Sequence, residues 1–199
     1  MLATKTLHSV EDMERTPKPE GGGGSYELDE GELIYMSPNS MEQWEIIHRC
    51  YHLLQDFVEA HTLGFLLADT WFEILPGVVR APDVAFVPCA AWKPELDPKH
   101  ALKVVPALMV EVLASSDPEL SRKIALESSA RPARTPRDLS RRLRQYLEAG
   151  VLQVWVLDPD EGEADVYAAG SLRTLTTKDR LEAPAILPGF SVSVARLFE

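Results

Sequence analysis

From Tyr26 the chain alternates apolar and polar residues through YELDEGELIYM, with the turn-forming pair Glu30-Gly31 at its middle. This predicts a β-hairpin over 26–36. After Ser37-Pro38 the period lengthens. Trp44, Ile47, Tyr51, Leu54 and Val58 fall on one helical stripe, and Ser40 followed by Gln43 reads as a capping box. A long amphipathic helix over 41–61 is expected. Two strand-like runs come next, GFLLADTWFEIL (64–75) and VRAPDVAFV (79–87), separated by Pro76-Gly77 and expected to pair as neighbours. Pro88, Pro94, Pro98 and Pro106 mark 88–105 as a loop with room for a short helix. ALMVEVL (107–113) is apolar on both faces, as a central strand is.

The second half repeats this vocabulary. Residues 114–134 read as irregular, although ELSRKIALE has the spacing of one or two helical turns. Thr135-Pro136-Arg137-Asp138 supplies an N-cap, a proline at the first helical position and an acid at the third, and Gly150 stands where a glycine ends a helix. A helix over 136–149 follows. VLQVWVLD (151–158) is a buried strand stopped by Asp158-Pro159, EADVYAA (163–169) returns across DPDEGE, and ILPGFSVSVARLF supplies a closing strand. The order predicts a single-domain α/β fold, with helices against a mixed sheet, over 26–199. Residues 1–25 are polar and end in PKPEGGGGS, which reads as a flexible N-terminal tail.

Composition narrows the class. With 199 residues, 45% hydrophobic and 26% charged, the chain is globular and long enough for a real core. Its apolar stretches fall far short of the ~20 residues of a membrane span, so no membrane partner is expected. Two cysteines, Cys50 and Cys89, and an N-terminus without an apolar signal core lead us to expect a reduced, cytoplasmic protein. The net charge of −11 repels polyanions, so contact with nucleic acid needs a local basic patch or a metal ion.

Two acids stand where structure alone does not require them. Asp83 follows Pro82 at the head of a strand, and Glu111 lies among Met109, Val110, Val112 and Leu113, where an unpaired carboxylate costs several kcal/mol to bury. A divalent cation bridging both would compensate, and oxygen-only ligation suits Mg2+ or Mn2+. The alternatives are a strand-end turn for Asp83 and an ion pair with a core arginine for Glu111.

APDVAFV, then VPALMVEVLASS, then a helix ending in YLEAGV, the strand VWVLDPD and the closing ILPGF resemble the bacterial putative restriction endonuclease family within the PD-(D/E)XK nuclease superfamily. YELDEGELIYMSP is similar to that family's first hairpin, so the resemblance covers about residues 26–198. It implies a restriction-endonuclease-like mixed β-sheet flanked by helices. It also implies that Asp83 and Glu111 hold a metal ion against a DNA phosphodiester, with Glu32 matching a further recurrent acid whose alternative is a solvated hairpin residue. In the family a lysine on the second helix completes the site; four residues before Tyr146 this chain has Arg142 instead, for which the alternative is an i,i+4 pair with Asp138. Lysine can stabilise charge and help deprotonate water, whereas arginine is effectively never a base. Gln43 stands where relatives have histidine, and Asp138 matches a family acid but is explained by capping. Two functions therefore stay open: an endonuclease impaired by the loss of its lysine, and a non-catalytic nuclease fold that binds nucleic acid or a protein partner.

Residues 122–144 hold eight basic groups (Arg122, Lys123, Arg131, Arg134, Arg137, Arg141, Arg142, Arg144) against Glu127 and Asp138, a local net charge of +6. This stretch is the candidate DNA contact, and Lys123 offers an ammonium from a new position. The alternative is a solvated basic loop. The chain fixes no oligomeric state, and a homodimer stands open. His48 and His52 have zinc-like spacing but no third ligand, and are read as structural. Asp158, Asp160 and Gly162 imitate a calcium loop but read as a hairpin turn. No GxSxG, P-loop, GxGxxG or paired CxxC motif occurs.

Overall fold

The hairpin, the long helix and the paired runs form in the computed structural model, which describes residues 7–17, 24–114 and 136–199. In chain order the elements are α1 (Val10–Arg15), β1 (Ser25–Asp29), β2 (Glu32–Met36), α2 (Met41–His61), β3 (Gly64–Ala68), β4 (Phe72–Leu75), β5 (Val78–Arg80), β6 (Val84–Pro88) and β7 (Leu108–Val112). After them come α3 (Pro136–Ala149), β8 (Gln153–Asp158), β9 (Glu163–Ala168), β10 (Ser171–Leu175), β11 (Arg180–Glu182), β12 (Ser191–Ser193) and α4 (Ala195–Phe198).

Among the described residues the strands form three sheets. The largest has the order β10-β9-β8-β7-β6-β3, antiparallel except for the parallel β7–β8 pair, and so is mixed as expected. A four-stranded sheet runs β2-β1-β5-β4, and β11 pairs with β12. The run 64–75 was expected as one strand. It breaks at Asp69, whose φ of 45° is left-handed, and Thr70 donates to the Ala68 carbonyl, so β3 and β4 enter different sheets. The two runs still pair as neighbours, β4 with β5 in the small sheet and β3 with β6 in the large one. Residues 81–83, which include Pro82 and Asp83, are the crossing between the sheets.

Period-two alternation divides the core. Leu108, Val110 and Val112 join a cluster with Ile46, Ile47, Cys50, Leu54 and Val58 of α2, whereas Met109 joins Leu143 and Tyr146 of α3. Glu111 therefore occupies the face of β7 that looks toward α3. The buried stripe of α2 is rotated from the expected one: Gln43 is buried and Trp44 is 54% exposed. Gln43 closes the capping box with Ser40 and donates from Nε2 to the Val112 carbonyl at 3.1 Å, which turns its neighbour outward.

Part of the expected N-terminal tail is ordered. Ser9 and Asp12 form a capping box for α1, Met13 is buried against Leu28, Val79 and Ala101, and Glu14 accepts the Ala101 amide at 2.7 Å. One buried methionine in a six-residue helix leaves little periodicity to read. The closing segment also differs, since β12 is short and gives way to α4, where the Leu197 carbonyl accepts from Arg49. Asp158 forms the expected turn by accepting the Asp160 and Glu161 amides.

Candidate active site

The two acids lie at the same end of the β6–β7 pair. Val84 pairs with Val110 and Ala85 with Met109, Asp83 is the residue just before β6, and Glu111 follows Val110 on β7. The Val112 amide donates to Asp83 Oδ2 at 2.7 Å, and Asn39 Nδ2 donates to Oδ1 at 3.2 Å. Both acids are buried. Cys50 lies near enough for the Asp83 charge to act on it: burial, reinforced by that charge, pushes its thiol pKa up to about 12. It is a neutral wall rather than a nucleophile.

Arg142, also buried, bridges the two sheets. Its Nη2 donates to Glu111 Oε1 at 2.6 Å and its Nη1 to Glu27 Oε2 at 2.7 Å. Tyr146, one turn along α3, donates its hydroxyl to the same Glu111 oxygen at 2.5 Å. Burial pushes the Tyr146 pKa well up, so it remains a proton donor. For Arg142, burial alone would lower the pKa, but the charges of Glu111 and Glu27 outweigh it and hold the guanidinium ionised. Among the described residues its buried Nε has no hydrogen-bond partner.

Glu27 is fully buried on β1. Burial would raise its pKa, yet Arg142 and Arg80, with the Ala81 amide at 2.9 Å, hold it below the ordinary carboxylate range. Arg80 ends β5 and donates to Glu27 at 3.0 Å, to Asp29 at 3.1 Å and to Gln145 Oε1 at 2.6 Å. Gln145 in turn donates to Asp29 at 2.9 Å. Glu27, Asp29, Arg80, Gln145 and Tyr146 were not singled out from the sequence. A signal existed in β1, where Glu27 and Asp29 alternate with Tyr26 and Leu28 and so share one face.

Of the residues expected at the site, Glu111 and Arg142 are in contact, and Asp83 accepts from the amide of Val112, the residue after Glu111. Glu32 stands opposite Asp29 in the β1–β2 register and is partly exposed. Lys123 lies outside the described residues, as do Arg122, Arg131 and Arg134 of the basic stretch. Arg141 is paired with Asp29 and Glu30, and Arg144 with Glu148, so among the described residues Arg141, Arg142 and Arg144 meet this chain's own carboxylates.

Two buried carboxylates, one just before β6 and one on β7, are hard oxygen donors and fit Mg2+ or Mn2+ in chemical type. Among the described residues no group of three or more His, Cys, Asp or Glu side chains is arranged to hold a metal ion, so one held here would complete its shell with water.

The fold is similar to that of a solved structure, a putative nuclease belonging to DUF820 from Anabaena variabilis. The TM-score is 0.72 at 15% identity, over 96% of this chain and 97% of that one. No curated protein matches the chain. Among the described residues no helix is long and apolar enough to cross a membrane. Residues 10–195 match the Uma2 family, described as "Putative restriction endonuclease", and the chain belongs to that family.

Proposed function

We propose that this protein is a divalent-metal-dependent endonuclease acting on DNA phosphodiesters, and that it works slowly because Arg142 stands where relatives have a lysine. The observation that supports this reading is that Asp83, just before β6, accepts from the amide of Val112, the residue after Glu111, while Glu111 itself holds Arg142. Asp83 and Glu111 would hold Mg2+ or Mn2+, which supplies Lewis-acid charge toward a phosphodiester when bound. Arg142 contributes a fixed positive charge, and its Nε–H, which has no partner among the described residues, is a donor that an anionic oxygen would satisfy. Tyr146 keeps its proton and holds one oxygen of Glu111 in place. Neither group takes a proton from water, and this is the physical basis for a slow reaction.

A second reading rests on the same contact. Glu111 already has a guanidinium and a hydroxyl on one oxygen, so its burial is compensated without a metal ion. A non-catalytic nuclease fold that binds nucleic acid or a protein partner accounts for that. Titration calorimetry with MnCl2 separates the two. Our reading predicts saturable binding to the wild type that is lost in both Asp83→Ala and Glu111→Ala. Identical binding in all three removes the site, and no binding to folded wild type favours the second reading.

A further inference from the structure

The outer face of α2 carries a feature that the nuclease reading does not use. His48 and His52, four residues apart, are both exposed, and their Nε2 atoms lie 2.9 Å from each other. We propose that this pair chelates a divalent transition-metal ion of tetragonal preference, Cu2+ or Ni2+, independently of Asp83 and Glu111.

The spacing of the two nitrogens sets the bite. Imidazole nitrogens sit ~2.0–2.1 Å from such ions, so two of them at a right angle are roughly 2.9 Å apart, while tetrahedral ligands are roughly 3.4 Å apart. The observed spacing matches adjacent corners of a square-planar or octahedral shell rather than a tetrahedral zinc site. Without metal, this contact needs a proton between the rings, one Nε2–H donating to the other nitrogen. Chelation moves that proton to Nδ1 of the donor ring and leaves both lone pairs to the ion, so no net proton is released from the neutral pair.

The neighbours restrict the rings in advance. Trp44 stacks on His48 with centroids 4.8 Å apart and planes 16° apart, and Tyr51 meets His52 edge-on at 5.9 Å. Less rotamer freedom is then lost on binding. With two protein ligands, the other positions belong to water or to an exogenous ligand. The face is reached from solvent, since Trp44 itself is 54% exposed. The indole also supplies a reporter, because Cu2+ held beside it quenches its fluorescence.

The test titrates the tag-free full chain with CuCl2, following tryptophan fluorescence and the electron paramagnetic resonance spectrum. Expected are one ion per chain, nitrogen hyperfine structure from two imidazoles, and partial quenching. Affinity should fall about tenfold or more in His48→Ala and in His52→Ala, because each removes the chelate partner. Both positions are exposed, and circular dichroism confirms the fold. Unchanged affinity in both variants, or no saturable binding by the wild type, overturns the proposal. Loss confined to His100→Ala would place the ion instead at the His100–Glu14 pair, which is 3.0 Å apart, and would likewise overturn it.

Discussion

Arg142 is held between two carboxylates that come from different sheets, and each would be costly to bury alone. Removing one partner of such a network leaves uncompensated charge, at about 3–5 kcal/mol. Arg142→Met should therefore destabilise the protein by that amount at pH 7, measured by urea unfolding. The loss should depend on pH in a definite direction. Glu27 has a depressed pKa in the folded wild type, so its stabilising contribution is complete above the ordinary glutamate value of ~4.3 and fades as pH falls through the lower folded value. In the variant, protonation relieves the buried charge instead. The difference between the two proteins should shrink steadily below about pH 4; a constant difference down to pH 3 would contradict this account of Glu27. Asp83 and Glu111 were legible in the sequence because a carboxylate in an apolar strand, or at its head, is conspicuous. Glu27 was not, since its partners Arg80 and Arg142 lie 53 and 115 residues away and only the packing of the two sheets brings them together.

The elements were more legible than their partners. The capping box at Ser40, the proline-led start of α3 and the glycine after it are local signals, and they set α2 and α3 within the expected bounds. Gly150 does what a helix-ending glycine does, with φ of 97° and its amide bonded to the Leu147 carbonyl. The split of 64–75 between two sheets was not legible, because one left-handed aspartate decides it. That split puts the sheet crossing at Pro82-Asp83, beside Arg80. The β3–β6 pair that closes the crossing depends on close approach at Gly64. A Cβ there would lie 2.2 Å from the Val87 carbonyl oxygen and 2.8 Å from the Phe86 ring. Gly64→Ala should cost about 1–3 kcal/mol in urea unfolding, and an unaltered midpoint would show that β3 does not pack on β6 this closely.

At the scale of the whole molecule, the net charge of −11 opposes DNA binding, and the +6 of residues 122–144 was read as the remedy. Pairing of Arg141, Arg142 and Arg144 with this chain's own acids cuts that reserve. The expected phosphate contact then rests on Arg122, Lys123, Arg131, Arg134 and Arg137. Composition could count these charges but could not say which of them face inward, because α3 presents Arg142 to the core and Arg144 to solvent two residues apart. The nuclease reading thus depends less on overall electrostatics than on the chemistry at one position. Its most direct test is Mn2+-dependent nicking of supercoiled plasmid DNA by the wild type, Arg142→Lys, and Arg142→Lys combined with Asp83→Ala. We expect slow nicking by the wild type, about 100-fold or faster nicking by Arg142→Lys, and none by the double variant. No metal-dependent nicking by either of the first two proteins, or nicking that survives the loss of Asp83, would contradict the account.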